Sequence, residues 1–238
     1  MRAFINAIPG VYRNAQYSLS EEGFNELGIE TVMFFSKEEV VDMQRGDILI
    51  STKRLVGKRL EELGAMPELD THPAELLPFM SPSERLRKAS EITEADLPAF
   101  IRPDKIDRFA AVAVRGMIDF KLNGIKGDVW TSDIEHFMST WRCFVRYGKV
   151  ISINVCEGDP KVLPDFALIH EAGAAWTSAP AGAALDFGVT EDGRTQMFTT
   201  RDGWCLDPCG MDAHGYALLL AARWAQMVGV EDELAGIR

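Results

Sequence analysis

The sequence predicts a mixed α/β protein: a small N-terminal lobe built on a parallel sheet, followed by two α+β portions. Three observations carry that expectation. Strands and helices alternate through the first eighty residues, residues 65 to 95 are rich in Pro, Glu, Asp and Ser, and a long hairpin pattern surrounds Tyr147-Gly148-Lys149.

The alternation begins with a strand at Arg2 to Asn6, a helical stretch at Ser20 to Leu27 and a strand at Thr31 to Phe35. Ser36, with Glu39 three residues on as a capping-box partner, predicts a helix start. A strand at Asp47 to Ser51 and a helix over Lys53 to Leu63 follow, which suits an open parallel sheet better than a barrel. Pro67, Pro73, Pro78 and Pro82 interrupt the next stretch too often for one long helix, so it reads as a connecting segment with a short helix at Ser83 to Ser90. Ala99 to Arg102, the apolar Phe109 to Arg115 and Asp128 to Ser132 give the middle portion its mixed character. Ser139 to Val155 reads as two strands turning at Gly148, where positive φ is cheap. A helix over Pro164 to Ser178, strands at Ala183 to Val189 and Thr195 to Thr200 around Glu191-Asp192-Gly193-Arg194, and a helix over Ala213 to Val228 complete the chain.

Composition narrows the function classes. Hydrophobic residues at 47% and charged residues at 26% are ordinary for a globular protein, and the chain of 238 residues suits one two-lobed domain or two small ones. The longest apolar runs, AAVAV at 110–114 and YALLLAA at 216–222, are far shorter than the ~18 residues a membrane helix needs. No secretory pattern opens the sequence, so the expectation is a soluble, cytoplasmic protein without a membrane partner. A formal charge of −11 disfavours general nucleic-acid binding. Cys143, Cys156, Cys205 and Cys209 read as reduced thiols; Cys205, Cys209 and His214 could offer three zinc ligands, but no second ligand pair accompanies them.

Three stretches carry a family likeness. The first is Phe100-Ile101-Arg102-Pro103-Asp104-Lys105, and the second runs from Ser139-Thr140-Trp141-Arg142-Cys143-Phe144-Val145-Arg146 through Tyr147-Gly148-Lys149-Val150 to Glu157-Gly158-Asp159. The third comprises Ala184-Leu185-Asp186-Phe187-Gly188-Val189, Asp192-Gly193-Arg194, Asp202-Gly203-Trp204 and Pro208-x-Gly210-Met211-Asp212. Read together, residues 97 to 228 resemble the ATP-grasp superfamily, in particular a divergent clade with a two-lysine, RAGNYA-type nucleotide-covering subdomain. The resemblance implies an N-terminal lobe and connector over 1–95 and an ATP-grasp domain over 96–238, with a small subdomain at about 97–132 and a large one at about 133–238 enclosing a nucleotide cleft.

It also implies chemistry: an ATP-dependent carboxylate–amine ligase, modifying a peptide, protein or small substrate through an acylphosphate, with ATP and Mg²⁺ as cofactors. Such phosphoryl transfer rests on positioning and charge neutralisation. By the resemblance, Arg102 stands at the first phosphate lysine; Asp107 falls at the second, with Lys105 two residues before it. Backbone groups of Ser132, Asp133 and Ile134 stand where adenine would pair, and Thr140 takes a position usually held by Glu. Asp186 takes the first metal carboxylate's place, while Thr199 and Arg201 fall where a Glu and an Asn should complete the magnesium site. A guanidinium ~4 Å from Mg²⁺ would be repelled by roughly 8 kcal/mol at an effective dielectric near 20. Arg201 therefore either pairs with Asp186 as a fixed charge in the metal's place, or marks a pseudoenzyme that keeps the fold for binding or regulation. Arg142, on the strand before the hairpin turn, is the remaining candidate for the cleft. Trp141, Trp176, Trp204 and Trp224 read as core, and His170 as structural.

Overall fold

The structure, a computed structural model, describes residues 1–9, 15–65, 69–104 and 109–237. Strand β1 (Arg2–Asn6) pairs in parallel with β2 (Glu30–Phe34) on one side and β3 (Ile48–Ile50) on the other, giving the order β2-β1-β3. Helices α1 (Ala15–Glu26) and α2 (Lys53–Glu62) follow β1 and β3, and the Thr52 hydroxyl caps α2 by accepting from the Leu55 N–H. The helix expected at Ser36 is a single 3₁₀ turn, Lys37–Val40. Ser36 makes no side-chain cap there, and the Glu39 carboxylate accepts from the Phe35 N–H at 3.1 Å rather than from the Ser36 N–H, so the capping box does not form.

The middle sheet has the order β4-β7-β5-β6, all antiparallel, from β4 (Arg85–Lys88), β5 (Ala99–Pro103), β6 (Val112–Val114) and β7 (Asp128–Ser132). A short helix, α3 (Met117–Leu122), closes Phe120 over Ile101, Val114 and Val129. The helix expected at Ser83 to Ser90 is strand β4 followed by a 3₁₀ turn. Arg85-Leu86-Arg87-Lys88 lies at the sheet's edge with Leu86 exposed, so no apolar face announces a strand; its conformation is set by the β7 backbone.

The third sheet, order β11-β10-β8-β9, is antiparallel: β8 (Phe137–Arg146), β9 (Lys149–Gly158), β10 (Gly182–Thr190) and β11 (Thr195–Asp202). Tyr147 and Gly148 both take positive φ, 49° and 69°, as the two-residue turn of a right-twisted hairpin requires. Because side chains alternate across the sheet, Cys143, Val145, Ala183, Leu185 and Phe187 pack with α4 (Phe166–Ala175) on one face. Phe144 and Ala184 point to the other face, where α5 (Ala213–Val228) lies.

Helix α5 is buried nearly all round because it is sandwiched between that sheet and α1 of the N-terminal lobe, which is why its sequence lacks a polar face. The two helices approach so closely that a Cβ on Gly23 would sit 1.9 Å from the Ala213 carbonyl oxygen. Asp212 caps the helix start through the Gly215 N–H, and Gly229 ends it at φ 68°. Among the described residues, no helix is long and apolar enough to cross a membrane.

Candidate functional site

Asp186 organises the polar part of the large sheet. It lies on the same face of β10 as Ala184, opposite Arg142 on β8 and Thr199 on β11, with a β-bulge beginning at Asp186/Phe187. Bulges commonly re-aim side chains beside functional sites. The carboxylate is 4% exposed, and both oxygens accept from guanidinium groups: Arg142 Nε to Oδ1 at 2.7 Å, Arg142 Nη2 to Oδ2 at 3.0 Å, and Arg201 Nε to Oδ2 at 2.8 Å. An acid is accommodated in so apolar a strand because two guanidinium groups and three hydrogen bonds offset its desolvation.

The two arginines differ. Arg142 is buried and fully engaged, its Nη1 donating to the Asp207 carbonyl at 2.8 Å. The Arg201 side chain is half exposed and anchored only through Nε among the described residues. Thr199 donates its hydroxyl to the Thr200 carbonyl.

Asp207 belongs to the segment joining β11 to α5, and a disulfide between Cys156 of β9 and Cys209 ties that segment to the sheet, with Cα atoms 5.0 Å apart. This corrects the expectation of four reduced thiols and removes Cys209 from any zinc set. The partners are 53 residues apart in sequence, so their meeting depends on the sheet and on the fold of the connecting segment. Cys143 and Cys205 are free, and burial pushes each thiol up to about 12, the opposite of what a metal-ligating or nucleophilic thiolate requires.

Arg102 sits on β5 of the middle sheet, 8% exposed. Its Nη2 is ion-paired with Glu84 Oε1 at 2.6 Å, while Nε and Nη1 are buried with no hydrogen-bond partner among the described residues. Glu84 also contacts His72 Nε2 at 3.3 Å, and the His72 ring stacks 4.0 Å from the Trp130 ring. A carboxylate only accepts, so Nε2 carries the proton and Nδ1 accepts from the Thr71 hydroxyl at 2.8 Å. Burial, with the Arg102 charge, holds the His72 pKa below its ordinary value against the opposing pull of Glu84.

Glu84 and His72 carry no sequence signal. They lie in the Pro- and Ser-rich connector, and only the pairing of β4 with β7 brings Glu84 toward β5. Lys105 and Asp107 lie outside the described residues.

Ser132 pairs with Phe100 at the end of β7, and beyond it the Asp133 N–H donates to the Ser83 hydroxyl at 2.9 Å. Asp133 is exposed and Ile134 half-buried.

A chain of contacts joins the two charged centres. The hydroxyl of Thr200, next to Arg201, donates to the Asp70 carbonyl at 3.2 Å, and the Asp70 side chain accepts from the His72 N–H at 2.9 Å. His72 meets Glu84, and Glu84 holds Arg102. The connector thus links β11 to β5.

The unfilled donors of Arg102 fit a phosphate, which offers acceptor oxygens and negative charge. A divalent cation does not fit at Asp186. Its oxygens are already taken by two guanidinium groups, Thr199 offers only a hydroxyl, and among the described residues no three His, Cys, Asp or Glu side chains converge as a metal site.

A protein-family model described as "ATP-grasp domain, R2K clade family 2" matches residues 81–219. Among solved structures, the chain is similar to N5-carboxyaminoimidazole synthetase from Staphylococcus aureus, with a TM-score of 0.58 and 9% identity over 97% of this chain and 77% of that one. It is also similar to a RimK domain ATP-grasp protein from Sphaerobacter thermophilus, with a TM-score of 0.54 and 15% identity over 92% and 100% of the two chains. D-alanine–D-alanine ligase from Bacillus anthracis, complexed with ATP, aligns with a TM-score of 0.50 and 14% identity over 95% of each chain. Identities this low speak to the fold. No curated protein matches the sequence at a significant level. With the family model spanning more than half of its length, this chain belongs to the ATP-grasp superfamily, in R2K clade family 2.

Proposed function

We propose that the protein binds ATP between its middle and large sheets and acts as a carboxylate–amine ligase toward a peptide, protein or small substrate, with an altered metal site. The observation that carries this reading is Arg102: a buried cation, fixed by Glu84, with two donors left unfilled inside the region matched by the family model. Burying a guanidinium without acceptors is costly, and an arriving phosphate would supply them.

When bound, ATP supplies the phosphoryl group that activates a carboxylate, and an amine then displaces phosphate to form the amide. Arg102 would bind phosphate oxygens from the middle sheet, with Lys105, three residues on in the sequence, as a further phosphate ligand. Arg142 would hold Asp186, and Asp186 would in turn orient Arg201, on the opposite wall, with Thr199 beside it in β11. Main-chain groups of Ser132 and Ile134 would meet the adenine edge; the Asp133 N–H is already taken by Ser83. We take residues 1–95 as the N-terminal lobe and connector and 96–238 as the ATP-grasp domain, with β4 crossing that division to join the middle sheet.

Thermal unfolding with and without millimolar ATP tests the reading. Binding to the folded state raises stability by about 2.7 kcal/mol at a ligand concentration a hundredfold above Kd. Wild type should shift upward and Arg102→Ala should not; a wild type that does not respond overturns ATP binding. A second reading, a binding or regulatory protein without ligase chemistry, is favoured by the saturated Asp186 carboxylate. It predicts the thermal shift but no ADP formation with any carboxylate and amine pair.

A further inference from the structure

We propose that Arg201 binds the nucleotide's polyphosphate directly, so that this site takes the nucleotide without a divalent cation between protein and phosphate. The inference rests on the nucleotide reading above and names how the phosphates are held.

The assignment follows from how the three charged groups divide their hydrogen bonds. Asp186 has both oxygens committed, and Arg142 has all three nitrogens committed, two to Asp186 and one to the Asp207 carbonyl. Arg201 uses Nε alone, and its Nη1 and Nη2 meet no partner among the described residues although the side chain is half exposed. A guanidinium held by Nε keeps the paired edge of its fork free, the edge that matches two phosphate oxygens. One carboxylate between two guanidinium groups also leaves a net positive charge at this point of the sheet. That charge attracts an anion and repels a cation, the reverse of what a metal site needs.

The placement is rigid. Arg201 and Asp186 sit on adjacent strands of the large sheet, and Arg142 secures Asp186 from the far side. An anion binding there would find its partner already oriented.

Isothermal titration of the full chain with ATP, in EDTA and again in saturating Mg²⁺, tests the proposal. Binding in EDTA should be at least as tight as in Mg²⁺. Arg201→Gln should weaken binding in EDTA by about 10- to 100-fold, the range of one charge-assisted hydrogen bond. The double variant Thr199→Glu with Arg201→Asn, which supplies metal ligands and removes the cation, should bind ATP only when Mg²⁺ is present. Wild-type binding that requires Mg²⁺, or an Arg201→Gln affinity equal to wild type, overturns the proposal while leaving ATP binding intact. Absence of heat in both buffers overturns the nucleotide reading and this inference with it.

Discussion

Asp186 and Arg142 are joined twice across neighbouring strands, at 2.7 Å and 3.0 Å, and both are nearly buried. Removing Asp186 would leave Arg142 an uncompensated charge in a low-dielectric sheet, and removing Arg142 would leave the buried Asp186 to the half-exposed Arg201 alone. Asp186→Ala and Arg142→Ala should each cost about 3–5 kcal/mol by urea unfolding. Arg201→Ala should cost less than about 1 kcal/mol, because that side chain is half exposed and its loss leaves the Arg142 pair intact. Equal losses for Arg142 and Arg201 would contradict this division of roles.

Glu84 should behave as a positioning residue for Arg102, which it holds at 2.6 Å. Glu84→Gln preserves size and one acceptor oxygen but removes the charge opposite Arg102. Stability should fall by about 1–3 kcal/mol, the cost of weakening a buried charged hydrogen bond. ATP affinity should fall with it, because the guanidinium loses its fixed orientation. A variant that binds ATP as tightly as wild type would show that Arg102 is oriented by other groups.

His72 links stability to pH. Its pKa in the folded state is lowered by burial and by Arg102, so below the unfolded value of ~6.5 the unfolded chain takes up the proton first. The stabilising difference is therefore fully present at neutral pH and declines as pH falls through ~6.5 toward the folded value. His72→Gln should flatten the stability profile across that window when compared with wild type by chemical denaturation. Parallel profiles would show that His72 is not the group responsible.

Cys156 and Cys209 close a loop of 53 residues, for which chain entropy gives about 4 kcal/mol of stabilisation. Reducing agent should lower the melting temperature of wild type but leave a Cys156→Ser/Cys209→Ser variant unchanged. Thiol titration of the unfolded, unreduced chain should find the two free cysteines, Cys143 and Cys205. Four reactive thiols would contradict the pairing.

Much of the architecture is readable in the sequence, since the turns at Tyr147-Gly148 and Asp192-Gly193 bracket the strands of the large sheet, and the apolar run of α5 marks a helix buried nearly all round. Asp186 also stands out, as a lone acid in the apolar run from Ala183 to Val189. What escapes is whatever depends on tertiary pairing. Strand β4 has no apolar face because it lies at a sheet edge, and α3 is too short for helical periodicity to show. Glu84 and His72 are distant in sequence from Arg102, and the Cys156–Cys209 bond joins segments that meet only in the folded chain.

One arrangement is central to the proposed nucleotide site: phosphates held by Arg102 from the middle sheet and by Arg201 from the large sheet. A crystal structure of the protein with a non-hydrolysable ATP analogue tests it most directly. Phosphate oxygens should lie within about 3 Å of both guanidinium groups, with no metal bound to Asp186. A nucleotide seated away from Arg102 and Arg201, or a divalent cation coordinated by Asp186 with the arginines displaced, would contradict it.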